Sequence, residues 1–347
     1  MDYDVVIATR NRPEALKLSI PLILGQSRKP QQLIIVDASD NHEDIQNTAR
    51  EMVASSSVKL VILKSKANLS HQRNLGLEYV EAPVVMFSDD DSLWWPNYGQ
   101  AIMRIYERDT DGYLGGVSAT GIAIPPPDAH LAENKIYNMS IPDRIRQKIE
   151  RPRHIFDNFV CPDPLWLHGR SRWTVNPVPK WLKEENAALV ELSGGAHMTF
   201  RTEIIRECGF DEDFCIYTGY SAYGDVMPSF YVLQKRLLVG AHKALSHHFR
   251  YPGERTSGFK FGFFTQINRA YLICRFSPPG SAARRALKRF AIYKMMQYLL
   301  DFRSQFGRDR VRGVCAAMKA MNDLLNVSPD RLRQCYLEQC EKFMQRS

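Results

Sequence analysis

Short apolar runs alternate with stretches of helical periodicity along the first hundred residues. Val5-Val6-Ile7-Ala8-Thr9, Leu33-Ile34-Ile35-Val36, Lys59-Leu60-Val61-Ile62-Leu63 and Val84-Val85-Met86-Phe87 each read as a buried strand, since continuous apolarity bounded by polar residues leaves no face for solvent. A helix opens near Pro13, where a proline is tolerated because the first-turn N–H has no intrahelical partner. Leu16, Ile20, Ile23 and Leu24 give that helix an apolar stripe. A second helix is expected from Asn68 to Tyr79, with Leu69, Leu75 and Tyr79 on its buried side and Arg73-Asn74 midway. Strands and helices alternating at these spacings predict a parallel, doubly wound sheet. The polar residues that interrupt the pattern gather where strands end: Arg10-Asn11-Arg12, Asp37 with Ser39 and Asp40, and Ser88-Asp89-Asp90-Asp91. In open α/β sheets that edge binds ligands.

Beyond residue 110 the pattern changes. Gly112 to Ile124 is apolar and glycine-bearing, as expected of one more strand, and Pro125-Pro126-Pro127 ends regular structure. From there to about Leu189 the chain is rich in Pro, Arg, Trp and Asn, with Arg144, Arg146, Arg151, Arg153, His154, Trp166, His168, Arg170, Arg172, Trp173 and Trp181. This segment reads as an insertion shaping a binding site, because aromatic faces stack on flat ligand rings and arginines bind acidic groups. The competing reading is a structural excursion whose tryptophans merely pack. Leu192 to Arg201 gives a glycine turn and a strand, Thr202 to Cys208 a short helix, and Tyr220 to Val226 the opening of a helix through Phe230, Leu233 and Leu237. Ala244 to Phe249 reads as a last strand. Lys260 to Ile273 and Ser281 to Leu325 then carry helical periodicity, divided by Pro278-Pro279-Gly280. The chain thus divides into residues 1–124, 125–250 and a basic helical extension, 251–347.

Composition narrows the picture. With 347 residues, 44% hydrophobic and 24% charged, the chain is ordinary globular material. Its apolar stretches fall short of the roughly 20 residues a spanning helix needs, and it opens directly on a strand, so neither a signal peptide nor a membrane span is expected. Seven cysteines without CxxC or CxxH spacing speak against a disulfide framework or a zinc site, and for a reducing, cytoplasmic setting. A net charge of +8 favours an anionic partner, either a nucleotide, a lipid surface or a nucleic acid. No RNA-binding signature accompanies it, and nucleic acid is not expected. Lys and Arg crowd the last hundred residues, where helices rich in both arginine and apolar side chains could lie peripherally on an anionic membrane or simply pack with solvated basic faces.

The candidate chemistry starts at Asp89, Asp90 and Asp91. Three neighbouring carboxylates are costly without a cation, and hard oxygen ligands suit Mg²⁺ or Mn²⁺. An acidic turn capping the next helix is the plain alternative. Arg10 and Arg12, at a strand end beside a helix N-terminus, sit where phosphate is favoured.

These pieces together resemble a family 2 glycosyltransferase with the GT-A fold: Val5 to Arg12, Gln26 to Pro30 leading to Ile34-Ile35-Val36-Asp37, Arg73-Asn74-Leu75-Gly76, and Phe87-Ser88-Asp89-Asp90-Asp91. The resemblance implies a mixed central sheet flanked by helices and a nucleoside-diphosphate-sugar donor, linked to UDP, GDP or dTDP. Thr9, Arg10 and Arg12 would surround the nucleotide, Asp37 would accept a hydrogen bond from the base, and Arg73 would approach the ribose or diphosphate. Asp89 and Asp91 would be the outer acids of an Asp-x-Asp motif touching donor and metal, with Asp90 on the donor side. Asp37 has a competing role as a turn cap.

The second half continues the likeness. Gly194-Gly195 resembles the acceptor loop and Gly209-Phe210-Asp211-Glu212 the turn after the following helix, while Trp173 is an acceptor-stacking candidate. Asp225 stands at the second position of an acidic pair that supplies the family's catalytic base; Gly224 replaces the first acid. A histidine often reaches the metal from the last strand, and of His247 and His248 only one should face the site, with His248 preferred. The expected activity is inverting transfer of a sugar to a hydroxyl of a saccharide or lipid-linked acceptor. A nucleotidyltransferase and a non-catalytic RNA- or membrane-binding protein are the competing readings.

Overall fold

A computed structural model describes residues 1–129, 161–173, 176–216, 222–249, 251 and 256–346. The arginines at 144, 146, 151 and 153, and His154, lie outside the described residues. The first four strands are β1 (Tyr3–Thr9), β2 (Gln32–Asp37), β3 (Lys59–Lys64) and β4 (Val84–Asp89). They are linked by helices α1 (Pro13–Leu24), α2 (His42–Val53) and α3 (Leu69–Glu78). All four strands run parallel, as the alternation predicts, and the structure places them in the order β3-β2-β1-β4. Their side chains are buried on both faces in β1, β2 and β4, which explains the unbroken apolar runs.

The sheet turns antiparallel after β4. Beyond β5 (Ser92–Trp94), α4 (Tyr98–Arg108), β6 (Leu114–Gly121), α5 (Pro164–Arg170) and β7 (Ala187–Leu189) come β8 (Met198–Arg201) and α6 (Thr202–Cys208). Strand β8 inserts antiparallel between β4 and β6, completing the mixed sheet. Helix α7 (Val226–Val232) stops short of Leu237, which the sequence pattern had placed in it. Leu237 instead begins β9 (Leu237–His248), twice as long as the strand expected. The strand is long because β6 pairs along it from Leu237 to Ser246, while β7 pairs with its first half and β5 with its last residues. Its apolar first half is buried on both faces and so shows no alternation to separate it from a helix.

Four helices follow: α8 (Gly258–Phe276), α9 (Ala282–Leu299), α10 (Gln305–Asn326) and α11 (Leu332–Met344). The periodicity over 281–325 is thus two helices with a turn between. Their core includes Leu165, Phe214, Val226, Met227 and Phe230 from the sheet-bearing part, so the helical end is packed into the molecule.

Candidate active site

Register brings the site together. Ala8 pairs with Asp89, so the tips of β1 and β4 lie side by side, and Ser92 pairs with His248, which carries the end of β9 to the acid cluster. The turn after β1 is made by Asn11 in the left-handed region (φ 54°), a conformation that Asn tolerates. Its N–H donates to Ser39 Oγ (2.7 Å) and its Oδ1 accepts from the Asp40 N–H (3.0 Å), locking together the turns after β1 and β2.

The three acids have different surroundings. Asp90 is buried, accepting from Thr9 Oγ1 (2.8 Å) and from Arg12 Nη1 (3.4 Å). Burial and then the Asp91 charge push its carboxyl up to about 7, against the pull of Arg12 and Thr9. Burial also acts upward on Asp91, but His248, the Tyr251 N–H (2.9 Å) and Arg12 outweigh it and hold the carboxyl below its ordinary range. Asp89 is the most open of the three and pairs with Arg73 Nη2 (3.1 Å). Ligand atoms of Asp89, Asp91 and His248 all lie within 4.8 Å of one another. Two carboxylates and an imidazole, with His248 Nε2 already 3.0 Å from Asp91 Oδ1, form a donor set suited to a divalent cation. His247 is not part of it: adjacent strand residues face opposite ways, and its ring lies 3.1 Å from the Ile122 carbonyl.

Helix α3 faces the site with polar residues. Ser70, Gln72, Arg73, Gly76 and Leu77 are its buried side, whereas Leu69 and Leu75 are half-buried and Tyr79 is exposed, contrary to the expected stripe. Gln72 explains the inversion: its amide donates to the carbonyls of Thr9 and Val36 (both 2.9 Å), clasping the paired ends of β1 and β2. Asp37 is fully buried, with Oδ1 accepting from the Ser39 N–H (2.8 Å) and Oδ2 paired with His42 Nδ1 (2.6 Å). Its competing role as a turn brace is therefore realised. Arg10 is exposed beside this turn.

From the other half, Gly195 N–H donates to Asp225 Oδ2 (2.7 Å). A Cβ at Gly195 would stand 3.0 Å from that oxygen and 3.4 Å from Arg73 Nη2, so only glycine leaves the carboxylate and the guanidinium their present approach. Gly194 borders open space. Burial raises the Asp225 carboxyl above its ordinary value, with Asp89 adding to the rise and Arg73 and the Gly195 N–H opposing it. Tyr223, two residues before it, has φ 68°. Buried Arg269 of α8 lies between the rings of Tyr223 (4.7 Å) and Phe290 (4.5 Å) and pairs with both oxygens of Asp163 (3.2 Å each). Asn268 donates to the Ala222 carbonyl (2.9 Å) and accepts from Tyr336 Oη (2.8 Å). Trp173 donates to the Val190 carbonyl (3.3 Å), a partner within the fold.

Sequence reasoning missed His197. Its Nδ1 lies 2.7 Å from Ser246 Oγ, burial lowers its pKa to about 4, and the charges of Asp89 and His248 reach it. A histidine just past Gly194-Gly195, opening a strand paired to β4, was the available signal.

An acid-tipped parallel strand, met at one edge by an antiparallel half that carries a further, half-buried carboxylate, is the architecture of a GT-A glycosyltransferase. Residues 4–161, a little under half of the chain, match the family model described as "Glycosyl transferase family 2". The nucleotidyltransferase and non-catalytic readings are thereby set aside. Among solved structures the fold resembles mannosyltransferase PcManGT from Pyrobaculum calidifontis, in complex with GDP-Man and Mn²⁺, at 13% identity and TM-score 0.51, covering 99% of this chain and 86% of that one. It also resembles S. aureus TarS 1-349 in complex with UDP-GlcNAc, at 12% identity and TM-score 0.51, covering 99% and 92%. No curated protein matches the chain.

Proposed function

We propose that this glycosyltransferase moves a sugar from a UDP-, GDP- or dTDP-linked donor to an acceptor hydroxyl with inversion, Asp225 acting as the base. The observation that carries the proposal is the convergence of Asp225, Gly195 and Arg73 beside the Asp89–Asp91 cluster. As the hydroxyl oxygen bonds to the anomeric carbon, the bond from that carbon to the diphosphate oxygen breaks, and the hydroxyl proton passes to Asp225. A raised carboxyl is a stronger base for that proton, while the Gly195 N–H fixes which oxygen is occupied. Arg73 stands between acid cluster and base, able to offset charge gathering on the leaving diphosphate.

Asp89, Asp91 and His248 would hold a divalent cation, which when bound supplies positive charge against the diphosphate. The imidazole favours Mn²⁺ over the more strictly oxygen-seeking Mg²⁺. Thr9, Arg10 and Arg12 would line the nucleotide, Asp90 orienting Thr9 and Arg12. A nucleobase would meet Ser39 and His42, with Asp37 holding both from behind. Gly194 and Gly195 would border a saccharide or lipid-linked acceptor, with Trp173 stiffening the wall that leads to them. Complexes of GT-A neighbours with GDP-Man and Mn²⁺ and with UDP-GlcNAc are in keeping with this donor class.

Thermal-shift and transfer assays over a panel of nucleoside diphosphate sugars, with and without Mn²⁺, test the assignment. Asp91→Asn is expected to abolish Mn²⁺-dependent donor stabilisation. Asp225→Asn should keep it and lose about 10²–10⁴-fold in transfer, the usual contribution of a general base. Transfer at the normal rate by Asp225→Asn would remove that residue from the role.

A further inference from the structure

The corner between α9 and α10 exposes apolar side chains where a surface helix should be polar. Eleven large hydrophobic side chains of the described residues are exposed, and six of them fall within residues 292–306: Ile292, Met296, Leu299, Leu300, Phe302 and Phe306. Leu300 is 80% exposed and Met296 59%. They are not the buried side of α9 showing through, because Ala283, Ala286, Leu287, Phe290 and Ala291 already fill that role. The outward face reads Arg285, Lys288 and Arg289, then Ile292, Met296 and Leu299, at spacings of three and four residues. A basic stretch running into an apolar tip on one helix face is the pattern of an interfacial helix. No helix among the described residues is long and apolar enough to cross a membrane.

Charge selects the occupant. Residues 281–312 contain nine Lys and Arg against two Asp, a net +7 (9 − 2) out of the chain's +8. Both acids are engaged, Asp301 with Arg310 (2.6 Å) and Asp309 with Arg312 (3.6 Å). A second copy docked by the same face would oppose one net +7 region to another, whereas an anionic bilayer complements the charge and takes up the apolar tip.

The corner also sits near the site. Gly258, at the start of α8, packs against the Phe306 carbonyl, and Phe261 lies 6.3 Å from the Phe306 ring. The Tyr251 N–H is on Asp91, and the seven residues from Tyr251 to Gly258 span at most about 25 Å. On its inner side α9 supplies Phe290 to Arg269, which in turn meets Tyr223.

We propose that the α9–α10 corner, Ile292 to Phe306 with Arg285, Lys288, Arg289 and Arg303, docks the protein on anionic lipid bilayers. Docking there brings the Asp225 side of the site to the membrane and makes a lipid-linked acceptor its substrate class. The docking surface itself does not depend on the role of Asp225, and its test reads binding rather than transfer.

Flotation of the full chain with vesicles of phosphatidylcholine alone, or mixed with phosphatidylglycerol, decides the matter. The wild type should float with the mixed vesicles, and high salt should weaken the association. The triple variant Met296→Gln, Leu299→Gln, Leu300→Gln and the triple variant Arg285→Gln, Lys288→Gln, Arg289→Gln should each lose on the order of tenfold or more in partitioning. All six positions are exposed, and Mn²⁺-dependent donor stabilisation serves as the check that both variants are folded. Equal flotation of wild type and both variants would overturn the proposal. So would a dimer in light scattering that the apolar triple variant dissolves, with no vesicle binding by the wild type, since the corner would then belong to a second copy.

Discussion

Asp225 and Asp90 carry the same side chain, and each is shifted upward by burial, yet their surroundings differ and so do the roles proposed for them. Asp90 is enclosed by Thr9 and Arg12 and serves to orient them. Asp225 meets the backbone N–H groups of Gly195 and of its own residue and lies near the Arg73 charge, with no hydroxyl or amide side chain enclosing it as Thr9 does Asp90. A base must be unprotonated to act, so transfer should rise with pH as Asp225 ionises, with the acid limb above the ordinary aspartate value of 3.8. Arg73→Gln removes the charge that holds this carboxyl down and should move the limb to higher pH, as read from kcat against pH; a limb that stays in place would contradict the assignment. At this scale the sequence was most informative where residue type is itself the chemistry, as with the acid run at 89–91. It was least informative where one fold contact decides, as with Asp37, whose burial against Ser39 and His42 depends on the path of the turn. His247 and His248 are a middle case, since alternation says that one faces inward and only the pairing with Ser92 says which.

Among the elements, β1, β2 and β4 were legible because parallel strands buried on both faces leave an unmistakable apolar run, and the half-buried edge strand β3 because Leu60 to Leu63 is apolar as well. Helix α3 was placed correctly, but its buried side was misjudged, because periodicity reads apolar residues and this helix turns Gln72 and Arg73 inward to serve strand ends and the acid cluster. The short β5 and β7 gave too few residues for any period to register. Helix α8 shows what an element can do at a distance. Asn268 bridges Tyr336 and the Ala222 carbonyl, bracing the turn that carries Asp225. Asn268→Ala would leave the Ala222 carbonyl without its donor and Tyr336 Oη with Cys340 as its remaining partner, at about 1–3 kcal/mol for the unpaired buried group, measurable by urea unfolding. Tyr336→Phe takes the donor from Asn268 Oδ1 but keeps the Asn268 bond to the Ala222 carbonyl, so the turn should be disturbed less. Both should lower transfer while donor-induced thermal shifts persist; unaltered transfer in a destabilised Asn268→Ala protein would show that the turn holds without the brace.

In the whole molecule, the helical end completes the fold. Phe230, Val226 and Phe214 share one core with Phe263, Ile267, Leu287, Val314, Met321 and Tyr336. A chain ending at Tyr251 would expose that core face, and it should show weakened near-ultraviolet dichroism and bind a hydrophobic dye; a cooperative melt comparable to the full chain would show that the sheet-bearing part stands alone. Sequence periodicity found helix over 260–273 and 281–325 but neither α11 nor this dependence, which includes the contact of Phe214 with Tyr336 across more than a hundred residues.

The central claim is that Asp89, Asp91 and His248 gather a divalent cation beside a nucleoside diphosphate, with Asp225 across the cleft. Crystals soaked with Mn²⁺ and a nucleoside diphosphate sugar, with data collected at the manganese absorption edge, address it most directly. The account predicts an anomalous peak bounded by those three side chains and in contact with the diphosphate. An ordered donor without such a peak, or a peak held elsewhere on the chain, would contradict it.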